Sequence, residues 1–522
     1  MQEMRGIRAL FGVENGNDVE KCLRLYPRTA SERERGFDIA ALVNAFQSHD
    51  YPHLSVAYNG EIYNRRQLIA TYGFPDESSD ADFLLRSYCR VGVEETARAL
   101  DGIFAFCIVD TKRRTIHLGR DTFGVKPLFS FYQDGRLGVC SETKGLIDVP
   151  SRNGAPIDHF PPGHVQSFEI TDTGRIVPGE MKSFLKIGEC DLSGLHLSSD
   201  PLANIRYLFK EAVKKRLPES DVPVCSFLSG GLDSSLVASV VVECMKERGF
   251  KQKVKTFSIG TEASSDIQAA RIVAKHLGTD HHEIPIPAEK GLAAMRKAIY
   301  LTETFEVVTL RGVVPQLLAS EYVKEKMTKQ NVNPIICFAG DGADELSQGY
   351  TYFFNAPSAA DADVESRWLL QSLHVTDLLR VDRVTTDCGI DVRLPYLDNY
   401  LTSYILSLPP EDRQPQKGFE KYLIRRAFEC TGLLPDKILW RSKVLFSDGV
   451  STSEERSWFT LLEEFVDRQV SDDMLAAAGA RFVDGLVPQT KEGYYYRACF
   501  EENFPGCSQL VPHYYSSKWT DH

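Results

Sequence analysis

The chain has no surplus of basic residues, no Cys-x-x-Cys pair, no internal repeat, and no apolar run near the roughly 20 residues of a membrane span. Each absence closes off a class of function. With 60 Lys and Arg against 72 Asp and Glu, the formal net charge is -12. That balance disfavours non-specific binding to nucleic acid or anionic membrane, because phosphate contacts need clustered cations. The 12 cysteines stand singly, so neither zinc nor dithiol chemistry is indicated and buried reduced thiols are expected. The start, Met1-Gln2-Glu3-Met4-Arg5, has no apolar signal core, and a cytoplasmic setting is expected. What remains is ordinary globular composition, 43% hydrophobic and 25% charged over 522 residues. That length exceeds one hydrophobic core and predicts two or three domains.

From Arg5 to about Ile187 the pattern is short strands and turns, with the apolar run Ile103 to Val109 and a polar reversal at Asp110 to Thr115. A polar linker follows, about Gly188 to Asp200. Beyond it strands alternate with helical stretches, starting with an amphipathic helix from about Leu202 to Arg216. This predicts a parallel sheet covered by helices, with core strands at Val222–Phe227, Val254–Ile259, His282–Ile286 and Pro334–Phe338. After Gln348 the chain reads as mostly helical.

The most informative stretch is Ser229-Gly230-Gly231-Leu232-Asp233-Ser234-Ser235, set between an apolar strand and a helical segment, Ser234 to Lys246. Glycines let the backbone approach an anion, and a helix start offers free N–H donors with a partial positive charge. A Walker loop would place Gly-Lys-Ser/Thr at the helix start, and this one places Leu-Asp-Ser-Ser there. A carboxylate beside phosphates requires a cation. Asp233 is therefore read as a Mg2+ ligand near pyrophosphate, with Ser229, Ser234 and Ser235 donating to phosphate oxygens.

This loop resembles that of the ATP pyrophosphatases, which cleave ATP between the α and β phosphates. Further stretches are similar to the glutamine-hydrolysing asparagine synthetases: Tyr58-Asn59-Gly60-Glu61-Ile62-Tyr63-Asn64, Leu118-Gly119-Arg120-Asp121, Gly124-Val125-Lys126-Pro127-Leu128, Arg393-Leu394-Pro395-Tyr396-Leu397-Asp398, and Leu439-Trp440-Arg441-Ser442-Lys443. Phe446-Ser447-Asp448-Gly449 and Lys491 to Arg497 match the eukaryotic form. The resemblance implies an N-terminal domain (1–190) with the αββα sandwich of the Ntn hydrolases and a C-terminal doubly wound ATP-pyrophosphatase domain (200–522). It implies ATP and Mg2+ as cofactors and aspartate as the carboxylate adenylated. It gives Asp233 and Asp344 to the metal, Lys443 to the charge on the α-phosphate and leaving pyrophosphate, and Leu228, Ile259, Ala339 and Gly340 to the nucleotide.

The chain also departs from that pattern. Arg5 occupies the position of the glutaminase cysteine, and the first cysteine of the chain is Cys22. Asn59 and Gly60, an oxyanion pair in the family, and Glu61 and Asp80, which would meet the glutamine amine, remain without a nucleophile to serve. Glutaminase activity is expected to be absent, ammonia rather than glutamine being the nitrogen source. In the synthetase domain Asp341 replaces a catalytic glutamate, and Ala339 and Ala343 replace hydroxyl residues near phosphate. Two alternatives stand beside an ammonia-using synthetase. One is a catalytically impaired paralogue that binds ATP or an active synthetase subunit, and the other is a shifted carboxylate substrate, as in β-lactam synthetase. A homodimer or a pairing with a paralogous synthetase is compatible with either.

Overall fold

The computed structural model describes residues 6–12, 45–75, 79–147, 155–262, 264–285, 288–443 and 458–520. The chain forms two bodies, Met1–Lys186 with Phe504–Leu510, and Ile187–Asn503 with Val511–His522.

The first body holds two antiparallel sheets. Strands β1 (Arg8–Phe11), β6 (Phe129–Gln133), β7 (Arg136–Cys140) and β8 (Asp158–His159) form one, in the order β1-β7-β6-β8. Strands β2 (Ala45–Gln47), β3 (Leu54–Ile62), β4 (Gly102–Asp110), β5 (Thr115–Arg120), β9 (His164–Ile170) and β10 (Ile176–Ser183) form the other, in the order β10-β9-β5-β4-β3-β2. The apolar run in β4 is buried on both faces, as an unbroken run demands. Its Ala105, Cys107 and Val109 face the core shared with Phe11, Leu137 and Val139, while Phe104, Phe106 and Ile108 join Phe83, Leu84 and Leu85 of the helix Asp80–Ala99. The expected reversal is present, Asp110 pairing with Thr115.

Arg120 and Asp121 owe their presence to backbone stitching. The buried Arg120 guanidinium donates to the carbonyls of Lys126 (2.8 Å), Phe160 (2.7 Å) and Gly124 (2.9 Å). The Asp121 carboxylate accepts the amides of Phe104, Phe123, Val125 and Lys126 at 3.0–3.2 Å. The C-terminal region was expected to stay in one domain to residue 522, but Phe504–Leu510 returns to the first body. His159 Nε2 meets the Leu510 carbonyl at 3.1 Å, and Gln509 Nε2 donates to the Ile157 carbonyl at 3.1 Å. Phe504, Cys507 and Leu510 are buried as well, but seven residues with this spacing are too few to show a period.

The second body is built on a parallel sheet of β11 (Val224–Phe227), β12 (Lys255–Ile259), β13 (Asp280–Ile284), β14 (Ile335–Phe338) and β15 (Ile390–Arg393), ordered β13-β12-β11-β14-β15. Four strands fall where expected to within two residues at each end. The fifth is a strand within the region after Gln348, which is otherwise helical among the described residues, in line with the expectation of a mostly helical stretch. At four residues between the helix Asp377–Asp387 and Pro395, β15 is too short to show a period of two. Strand order reverses at β11, whose neighbours β12 and β14 continue the chain in opposite directions across the sheet. In such sheets the crevice at the carboxyl ends of the strands receives the ligand. No helix among the described residues is long and apolar enough to cross a membrane.

Candidate active site

Two loops leave the carboxyl ends of β11 and β14 side by side. The first turns at Gly230, whose φ of 78° lies where only glycine sits without strain. The helix behind it begins at Leu232, two residues earlier than expected, so Asp233 and Ser234 lie in its first turn. Gly231 at the N-cap has no side chain to satisfy the first amides. Ser229 and Ser234 join their hydroxyls at 2.9 Å, and the Ser229 amide donates to Ser234 Oγ at 3.0 Å. Gly340, on the second loop, lets the two loops touch: a Cβ there would stand 2.9 Å from the Ser234 nitrogen and 3.1 Å from Asp233 Cβ. Gly340→Ala is expected to lower stability by about 1–3 kcal/mol through overpacking and to weaken nucleotide affinity. Chemical denaturation together with nucleotide titration measures both effects.

Four charged side chains meet in front of these loops. Lys421 Nζ bridges Asp233 Oδ2 at 2.5 Å and Asp344 Oδ1 at 2.6 Å, while Lys443 Nζ lies 2.6 Å from Asp344 Oδ2 and 3.9 Å from Asp233 Oδ2. Gly349 makes room for them, since a Cβ there would fall 2.1 Å from both Asp344 Oδ1 and Lys421 Cε. Burial alone would push the Asp344 carboxyl up, but the Lys421 and Lys443 ammonium groups outweigh it and hold it well below the usual range. Burial likewise disfavours the Lys443 charge, and Asp344 with Asp233 more than offsets it. The neighbouring Glu345 has no cation. Burial and the Asp344 charge push its carboxyl up to about 8, and it accepts the Tyr350 hydroxyl at 2.5 Å.

Asp233, Asp344, Glu345, Tyr350 and Lys443 line one cavity of about 270 Å³, together with Leu228, Ser229, Ile259, Ala339, Gly340 and Asp341, while Lys421 braces the two carboxylates from outside the lining. Asp341 Oδ1 is held by Arg380 Nη2 at 2.9 Å, and Arg380 also reaches Asp377 Oδ1 at 3.0 Å and Gln316. Burial raises the Asp341 carboxyl and the Arg380 charge opposes that rise.

The asparagine synthase family matches over residues 204–368 and 355–521, and the glutamine amidotransferase domain over residues 43–170. Asparagine synthetase [glutamine-hydrolyzing] of Gallus gallus is 43% identical over 98% of this chain and 91% of its own length. The chain belongs to the asparagine synthetase family. The Homo sapiens and Rattus norvegicus asparagine synthetases are 41% and 42% identical, over the same shares of each chain. The two-sheet body is thus the Ntn-type sandwich of this family, and the parallel-sheet body its ATP-pyrophosphatase domain.

Of the residues singled out in the asparagine synthetase sequence pattern, the cavity gathers Leu228, Ser229, Asp233, Ser234, Ile259, Ala339, Gly340, Asp341, Asp344 and Lys443. Gly230, Gly231 and Ser235 stand behind its wall, Ser235 fully buried in the helix. Ala343 is also buried and outside the lining. Lys421, Arg380, Asp377 and Asp266 were missed. They are isolated charges on helices or turns, and only the fold brings them to the loops.

The remnant glutamine residues lie in the first body. Asn59 Nδ2 is 3.6 Å from the point where a Cβ on Gly6 would stand, so it flanks the residue after Arg5. Arg5 itself and Phe446 to Gly449 fall outside the described residues. Gly60 has a purely structural reason to persist: at φ 142° a Cβ would lie 2.0 Å from the Ile103 carbonyl oxygen across the β3–β4 pair. Asp80 accepts the Ile62 amide at 3.2 Å and pairs with Arg65 Nε at 3.1 Å, tying the end of β3 to a helix start.

Proposed function

We propose that this chain is an ATP-dependent ligase of the asparagine synthetase kind that adenylates the side-chain carboxylate of aspartate and completes the amide with free ammonia. The observation that carries the reading is the cluster of Asp233, Asp344, Lys421 and Lys443 at the switch point of the sheet. Two buried cations held beside a glycine loop suit a polyphosphate, and their carboxylate partners suit its counter-ion.

Leu228 and Ile259 offer apolar surface and backbone to the adenosine, with Ala339 and Gly340 beside them. Ser229 and Ser234, already bonded to one another, present hydroxyls and first-turn amides to phosphate oxygens. Asp233 Oδ1 is buried and accepts no hydrogen bond from the described residues. Among them no three His, Cys, Asp or Glu side chains gather as a metal site, so Asp233 and Asp344 would hold Mg2+ jointly with phosphate oxygens. When bound, Mg2+ neutralises charge on the triphosphate. An aspartate carboxylate oxygen then attacks the α-phosphorus, the α–β bridging P–O bond breaks, and pyrophosphate leaves toward Lys443, whose fixed ammonium meets the developing charge. Ammonia adds to the acyl carbon, AMP departs with the carboxylate oxygen, and the surplus proton passes to a carboxylate within reach, Asp341.

Arg5 in place of the family's cysteine supports ammonia over glutamine. With ATP, Mg2+ and aspartate, ammonium is expected to yield asparagine and pyrophosphate in equal amounts, and glutamine to yield no asparagine. Amino-acid analysis with a pyrophosphate assay reads both. Absence of pyrophosphate with ammonium would sink the reading, and asparagine from glutamine would restore the glutaminase.

The grip of Arg380 on Asp341 favours a second reading, in which the adenylate forms but the amide step is crippled. The chain would then act by binding ATP or by pairing with an active synthetase subunit.

A further inference from the structure

Residues 511–520 of the C-terminal body run along an aromatic cluster that continues into the cavity wall. Trp519 sits against Tyr352 and Phe353, ring centroids 5.9 and 6.1 Å apart, and its carbonyl accepts Asn355 Nδ2 at 3.1 Å. Lys518 pairs with the buried Glu365 and lies over the Trp368 ring, which also meets His513 at 4.9 Å. These contacts fasten the segment at both ends.

Its middle residue, Tyr515, whose side chain also meets Tyr352, makes two contacts with the elements of the cavity wall. The backbone N–H donates to Glu306 Oε1 at 3.2 Å, and the ring stands 5.8 Å from the Tyr350 ring. Glu306 is the N-cap of the helix Val307–Thr328, its Oε2 accepting the Thr309 amide at 2.6 Å, and Val308, Gly312 and Gln316 of that helix line the cavity. Tyr350 lines it too, with its hydroxyl on Glu345. One residue thus ties together two wall elements that are distant in sequence. Both belong to the part of the lining that holds Gln316, Glu345 and Arg380, not to the loop Leu228–Ser234.

We propose that Tyr515 is a positioning residue for the acceptor end of the cavity, fixing the spacing of Gln316 and Glu345 around a small amino acid that carries both a carboxylate and an ammonium group. This rests on the ligase reading given above. A segment that merely stabilised the body would affect nucleotide and acceptor alike. A strap on one end of the cavity affects the acceptor alone.

The test uses the full chain with Tyr515→Leu, which removes the ring contact, and Tyr515→Phe, which keeps both the ring and the N–H. In Tyr515→Leu the KM for aspartate is expected to rise on the order of tenfold with the KM for ATP unchanged, since a displacement under 1 Å suffices for that. Tyr515→Phe should stay within about twofold of the parent. Hydrogen exchange supplies a readout independent of turnover: amides of residues 345–353 should exchange faster in Tyr515→Leu and not in Tyr515→Phe. Should Tyr515→Leu fail to fold, Trp519→Leu loosens the same segment without touching Glu306 or Tyr350, and the amides of residues 345–350, which Trp519 does not contact, should exchange faster. Equal rises in both KM values, or unchanged exchange at 345–353 in the folded variant, overturn the proposal. A parent protein that releases no pyrophosphate with any carboxylate defeats the ligase reading instead, and the exchange measurement still decides the strap.

Discussion

Replacing Lys421 by methionine is expected to lower pyrophosphate release by roughly 1,000-fold and to cost the C-terminal body about 3–5 kcal/mol of stability. Lys421 is 2% exposed and its ammonium is shared by two carboxylates that are themselves largely buried. Removing it leaves Asp233 facing Asp344 with only Lys443 between them, 3.9 Å from the first and 2.6 Å from the second. One of the two must then take up a proton or draw in water. Either outcome removes the charge pattern that a polyphosphate and its counter-ion would meet. The backbone sharpens the expectation. Lys421 sits at φ 54°, a left-handed conformation that costs a non-glycine residue of order 1–3 kcal/mol, and it opens the helix Tyr422–Phe428. The side chain's two ion pairs hold the backbone there. Lys421→Gly relieves the strain yet still strands the carboxylates, so it should recover part of the stability and none of the activity. Lys421→Met combined with Asp344→Asn should behave likewise. Denaturant midpoints and pyrophosphate release on the four proteins separate strain, charge and catalysis. Near-normal release from Lys421→Met would show that Lys443 alone suffices.

The contrast between Lys443 and Lys421 shows what a linear sequence displays. Lys443 was found because it stands in a stretch, Leu439 to Lys443, that matches a family pattern. Lys421 makes the more central contacts and carries no local mark. Its importance arises from the crossing of β11, β14 and a turn more than seventy residues downstream, which no period or spacing encodes. The parallel sheet was legible because its strands are apolar runs punctuated by helices, and the phosphate loop because glycine placement follows from the geometry of anion binding. β15 and the return of Phe504–Leu510 were not, since four residues cannot show a period and three buried side chains, Phe504, Cys507 and Leu510, on a seven-residue stretch do not say which body they join. Burial is equally hard to read locally: in the helix Ala343–Leu346, Ala343 is buried while its neighbours Asp344 and Glu345 line the cavity.

Asp341→Glu is expected to raise the rate of amide formation on the order of 100-fold while leaving adenylation within about twofold of the parent. The two steps separate because, on the proposed function, Asp233, Asp344 and Lys443, braced by Lys421, would face the triphosphate, whereas Asp341 is tied to Arg380 at 2.9 Å. Arg380 is itself anchored by Asp377 and Gln316, so it does not follow Asp341 into the cavity. An aspartate must therefore choose between holding Arg380 and reaching a nucleophile beyond it. A glutamate, one methylene longer, can keep one oxygen on Arg380 and extend the other. Burial raises the Asp341 carboxyl against the Arg380 charge, and a side chain that keeps the Arg380 contact while extending inward retains that balance. Exchange of labelled pyrophosphate into ATP reports adenylation, and ammonium-dependent asparagine formation reports the second step. A rise confined to the second step assigns the impairment to Asp341. A fall in that step would mean that the shorter carboxylate is matched to Arg380 and that this chain carries out the amide step with aspartate where its relatives use glutamate. An equal change in both steps would place residue 341 on the triphosphate side of the cavity, against the separation that the Arg380 anchor implies.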